Sequence, residues 1–107
     1  MLRAHRRWAG LSQRELGVII GYTDDGEVSR HERSRTIPPL TTALAYAVVF
    51  RVSVSTLFPA LHAEIERMIT GNLAAFEKEL EQQSGKGRDA KQTAHKLIWL
   101  TERRTTP

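Results

Sequence analysis

Cysteine is absent from the 107 residues, which excludes a disulfide-stapled scaffold, thiolate zinc sites, iron–sulfur clusters and a cysteine nucleophile. Four histidines remain as soft ligands. Long apolar runs are also missing. None approaches the ~20 residues of a membrane span, and the basic start Met1-Leu2-Arg3-Ala4-His5-Arg6-Arg7 is not followed by the apolar stretch of a signal peptide. The expected compartment is therefore the cytoplasm. Strand signals are nearly absent, no glycine-rich phosphate loop follows a strand, no serine occupies a nucleophile elbow, and no HExxH run exists. Glu27 with His31, and His62 with Glu66, stand at i and i+4. Neither pair has an evident third ligand, so both are expected on helix surfaces, with no metal, no cofactor and no catalysis.

What is present suits one small core with an appended segment. Sixteen basic against twelve acidic residues give a net charge of +4, which permits nucleic acid as a partner without demonstrating it. That charge is uneven: residues 61–83 are acidic, residues 84–107 basic. The stretch Gln82-Gln83-Ser84-Gly85-Lys86-Gly87-Arg88 reads as a linker, because two close glycines in polar company neither hold a helix nor bury apolar area. Gly10, Gly21, Gly26, Pro38-Pro39 and Pro59 cut the upstream chain into short helices. The domains expected are 1–58, a helix over 59–83, and a linker with a basic helix or tail over 84–107.

The helical readings rest on spacing. Ser12 and Glu15 form a capping box, opening a helix that would bury Leu16, Ile19 and Ile20 and stop at Gly21. A second short helix follows, capped by Asp24 or Asp25, with Val28 inward. Leu40, Ala43, Leu44, Ala47 and Val48 recur as one helical face behind Pro39. Ser53 or Ser55 opens a turn through Leu57 and Phe58. Beyond Pro59, a stripe of Leu61, Ile65, Met68, Ile69, Asn72, Phe76 and Leu80 predicts a long amphipathic helix, and Ala90, Ala94, Leu97 and Ile98 a weaker last one.

The order Gly10-Leu11-Ser12-Gln13-Arg14-Glu15-Leu16, Gly21, Val28-Ser29-Arg30-His31-Glu32-Arg33, Pro38, Leu40 and Val54-Ser55-Thr56-Leu57-Phe58 resembles the Xre/Cro/C1 family of phage-type repressors over about residues 2–58. The resemblance implies an all-α fold, a five-helix lambda-repressor-like helix-turn-helix domain followed here by a C-terminal helical extension. It also implies a dimer on double-stranded DNA, with the third helix in the major groove. An arginine at the position of Arg6 is implied as the partner of Glu32.

A helical wheel of the third helix divides it in the same way, with Val28 and Glu32 inward and Gly26, Ser29, Arg30 and Arg33 outward. Arg30 leads as a base contact because its planar fork matches O6 and N7 of guanine. Ser29, Gly26 and Asp25 are further base-contact candidates, the last by accepting from cytosine N4. Gln13 stands in the first turn of a helix, where free amides favour phosphate. Thr23, Arg33, Arg35 and Thr36 are expected as phosphate contacts, with Arg3, Arg7 and Arg14 adding longer-range attraction.

This sequence departs from the family pattern in three ways. Gly21 to Val28 is one residue longer than usual, Asp24, Asp25 and Glu27 put acid at the recognition-helix tip, and Ser34 stands where glycine is common. The expected function is sequence-specific transcriptional regulation, repression above activation, on an inverted-repeat operator. The alternative is an antitoxin or adaptor using the 61–80 helix to hold a partner protein.

Overall fold

The computed structural model describes residues 1–24, 26–83 and 89–106, and among them the chain is all helical. The elements are α1 (Leu2–Trp8), α2 (Gln13–Ile20), α3 (Gly26–Glu32), α4 (Leu40–Phe50), α5 (Val54–Leu57), α6 (Pro59–Gln83) and α7 (Ala90–Thr105). They divide into two compact units, Met1–Ala63 and Glu64–Pro107. Gln82 and Gln83, the start of the linker-like stretch and the end of the helix expected over 59–83, are the last residues of α6; Ser84 to Arg88 lie outside the described residues.

Local chemistry sets the ends of the short helices. Ser12 caps α2 by accepting from the Glu15 amide at 3.0 Å, while the Glu15 carboxylate accepts from the Ser12 amide at 2.9 Å, a bond that holds this carboxyl below its usual range. At the other end of α2, Gly21 is left-handed (φ 99°) and the Tyr22 amide reaches back to the Gly17 carbonyl at 2.7 Å. Helix α3 ends in the same way, but on a serine. Ser34 has φ 58°, its amide donates to the His31 carbonyl at 3.3 Å, and that of Arg35 donates to Arg30 at 3.0 Å. Arg51 does likewise after α4 with φ 57°, and no feature of its sequence announces it.

The core of the first unit is Leu2, Leu16, Val28, Tyr46 and Leu57, flanked by Ile20, Ala47, Val49, Phe50, Val52 and Phe58. Two of the expected faces are rotated. Ile19 is 54% exposed, and α2 turns Leu16 and Gly17 inward instead. A Cβ on Gly17 would stand 3.2 Å from the Asp24 carbonyl and 3.7 Å from Val28 Cγ2, so the missing side chain leaves room for the carbonyl of the turn, while Val28 would lie at ordinary contact distance. On α4, Leu40 and Val48 are about three-quarters exposed and Leu44 is half exposed, whereas Ala43 and Tyr46 are buried. Residues 43–50 are apolar nearly all round, so aliphatic spacing alone does not select a face. A polar contact does: the Tyr46 hydroxyl lies 2.8 Å from His31 Nδ1, which lets the largest side chain of the core be fully buried without an orphaned hydroxyl.

Two polar links therefore fix α3. His31, expected at the surface, is buried beneath α4. Burial drives its imidazole below the ordinary value; the Glu27 carboxylate, 3.9 Å from Nε2, acts against this, and Arg30 acts with it. Burial likewise pushes the Tyr46 phenol up, so both partners stay neutral near pH 7. On the other side, Arg6 donates through Nε to Glu32 Oε2 at 2.6 Å, through Nη2 to Oε1 at 3.2 Å and through Nη1 to the Leu11 carbonyl at 2.8 Å. The Glu32 side chain is 2% exposed and that of Arg6 11%, so neither charge could be left alone there cheaply.

In the second unit, α6 and α7 meet along Leu73, Glu77, Leu100 and Arg104, with Leu80, Thr93 and Leu100 buried. Arg104 grips Glu77 with both terminal nitrogens, at 2.6 and 2.9 Å. Of the expected α6 stripe Leu80 alone is buried; Ile65, Met68, Ile69 and Phe76 are exposed by 38–56%. Ala94 and Ile98 on α7 are exposed as well. The seam runs through an ion pair and a threonine, which an apolar-stripe reading does not register.

Three outcomes follow from these contacts. Ser34→Gly relieves a left-handed serine and raises thermal stability by up to ~1 kcal/mol, measured by melting; no gain contradicts the strain. Arg6→Ala strands the Glu32 carboxylate and costs about 3 kcal/mol or more, seen in denaturant titration. For His31, the unfolded chain binds more protons than the folded one between the lowered folded value and about 6.5. Its contribution is thus complete above about pH 6.5 and declines as pH falls through that window. The melting temperature of the wild type should drop there relative to His31→Gln; parallel curves contradict the burial cost.

Candidate nucleic-acid interface

The turn between α2 and α3 presents the surface of interest. Within it the Tyr22 hydroxyl bonds Thr42 Oγ1 at 3.0 Å, tying the turn to α4, and Asp24 Oδ1 accepts from the Gly26 amide at 2.8 Å. Asp24 thus satisfies a free amide at the start of α3. Asp25, expected as a cap or a cytosine contact, lies outside the described residues.

With Val28, His31 and Glu32 turned inward, the opposite side of α3 faces solvent. Ser29 is half-buried, and Arg30, Arg33, Arg35, Thr36 and Thr23 are exposed, as are Arg3, Arg7 and Arg14. The left-handed Ser34 turns the chain sharply after α3, so that Arg33, Arg35 and Thr36 follow within the same turn. Gln13, in the first turn of α2, donates from Nε2 to Glu32 Oε1 at 3.1 Å, joining the Arg6–Glu32 network.

Arg30 does not extend freely. Its Nη2 is paired with Glu27 Oε1 one helical turn back, and that hydrogen bond, followed by the charges of Glu27 and then Asp24, strengthens the hold on its proton. The guanidinium lies over Gly26, where a Cβ would stand 3.4 Å from Nη1 and 3.2 Å from Asp24 Oδ1. Spacing alone treats Glu27 as a tip charge unfavourable to phosphates. The i, i+3 relation of glutamate to arginine was the available signal for this pair. His31 carried no such signal, since its partner is fifteen residues away in sequence.

The described residues hold no cluster of three or more His, Cys, Asp or Glu able to bind a metal ion, and no helix among them is long and apolar enough to cross a membrane. What the site offers is a convex helical face with an arginine fork, hydroxyls and flanking cations, a set suited to an edge pattern of donors and acceptors framed by anions.

A family model of the helix-turn-helix domain matches residues 1–57, more than half of the chain. No curated protein and no solved structure matches it significantly. The matched span contains α1 to α5 and with them the capped α2, the Tyr22 turn and the outward face of α3. The chain belongs to the helix-turn-helix domain family, of the Xre/Cro/C1-like type.

Proposed function

We propose that the protein is a sequence-specific DNA-binding transcriptional regulator that reads the major groove with α3. The observation carrying this reading is the exposed Arg30 guanidinium on a helix whose opposite face is clamped to the core by Glu32 and His31. A fork fixed on a rigid element can meet O6 and N7 of one guanine, a match worth ~1–3 kcal/mol of discrimination. Ser29 is the second base contact, and Gly26 lets the helix tip come close to the groove floor. Arg33, Arg35, Thr36 and Thr23 take phosphates. Gln13 joins them through its second amide hydrogen, since the first is given to Glu32.

Repression is the favoured output, because occupying an operator requires nothing beyond the DNA contacts themselves. A homodimer is the favoured state. The apolar side chains Ile65, Met68 and Phe76 of α6 stand in solvent, and twofold pairing would set two α3 helices about 34 Å apart over an inverted repeat. The same exposed side chains support the second reading, an antitoxin or adaptor that holds a foreign protein. Light scattering separates monomer from dimer, and pull-down from the native host separates self-association from a foreign partner.

Selection from random duplexes followed by salt titration tests the main reading. The expected result is a palindromic consensus containing guanine and a salt slope of about −0.9 per phosphate contact. Arg30→Ala should abolish the preference at that guanine, costing ~1–3 kcal/mol, with melting nearly unchanged. Binding without preference for any sequence contradicts the proposal.

A further inference from the structure

We infer that Glu27 is a specificity-determining positioning residue, which holds the Arg30 fork in its reading orientation; the inference rests on the base-contact reading of Arg30 given above. The geometry makes Glu27 a bridge. One carboxylate oxygen takes Arg30 Nη2, and the other lies 3.9 Å from Nε2 of the buried His31, whose Nδ1 meets the Tyr46 hydroxyl at 2.8 Å. With the Tyr46 phenol held protonated, the tautomer that suits both neighbours carries its hydrogen on Nε2, facing Glu27. Residues 27, 30 and 31 share one turn of α3, so the core-bound Tyr46–His31 pair and the exposed guanidinium flank a single carboxylate.

Stability does not account for this pair. An exposed i, i+3 ion pair adds little to folding, and an acidic group on the DNA-facing side weakens attraction to phosphate. Its benefit is orientation. A free arginine side chain loses rotamer freedom when it docks, whereas Arg30 is already held on one edge by Glu27 and rests over Gly26, where a Cβ would stand 3.4 Å from Nη1. Pairing through one Nη2 hydrogen leaves other N–H groups of the guanidinium for a guanine. The same bond keeps Arg30 from acting as a loose cation that would neutralise any nearby phosphate. Asp24 adds negative charge from further away, but its Oδ1 is engaged by the Gly26 amide.

The test uses the full chain, the selected duplex and the same duplex with the Arg30-read guanine replaced. Glu27→Gln removes the charge from a side chain that is 37% exposed, and a melt verifies that it folds. Discrimination between the two duplexes should fall on the order of tenfold. Affinity for the replaced duplex should rise, and the salt slope should steepen by up to ~0.9 as Arg30 turns to phosphate. In an Arg30→Ala background, which has no discrimination at that guanine left to lose, the substitution should leave the salt slope unchanged. Wild-type discrimination retained in Glu27→Gln, or an equal steepening of the salt slope in the Arg30→Ala background, overturns the role of Glu27 while leaving the DNA-binding reading intact. Absence of any preference in the wild type overturns both.

Discussion

A buried carboxylate inside a domain this small is tolerable only if it is paired, and the Arg6–Glu32 bridge supplies the pairing that orients everything else. Glu32 closes α3 against α1, Gln13 joins it from α2, and Arg6 also engages the Leu11 carbonyl in the α1–α2 connection. Three helices are thus referenced to one carboxylate. The neighbouring inward position of the same helix is held by His31 on Tyr46. A seven-residue helix has little stability of its own, so its direction is that of its two anchors, and the residues on the side away from them face out.

The anchoring also explains how acidic groups occur on a surface proposed to meet phosphates. Asp24 is spent on the first free amide of α3, and Glu27 on Arg30. Among the described residues of the tip, each of these two charges has a local electrostatic partner, and cations follow after α3.

How much of this was legible in the chain varied with the range of the interaction. Capping chemistry is local, so Ser12 with Glu15 and the stop at Gly21 could be read directly, and the cap at Ser53 was narrowed to Ser53 or Ser55. The left-handed turn at Ser34 was legible because the family pattern has glycine there, whereas that at Arg51 was not. Faces of helices depend on distant partners. Tyr46 rotates α4 because His31 receives its hydroxyl, Gly17 turns inward on α2 because the Asp24 carbonyl stands where a side chain would crowd it, and Glu77 with Arg104 shifts the α6–α7 seam away from the apolar stripe. For the candidate site, a wheel suffices to separate inward Val28 and Glu32 from outward Ser29 and Arg30. The pairing of Arg30 with Glu27 needs the rotamers that only coordinates give.

The central claim is that the outward side of α3 is the surface that meets duplex DNA. Backbone amide chemical shifts recorded while the selected duplex is added test it most directly. The account predicts the largest changes from Gly26 to Thr36 and at Gln13, with α6 and α7 little affected unless association changes. Perturbation confined to the helices beyond Glu64, with α3 silent at saturation, would contradict it.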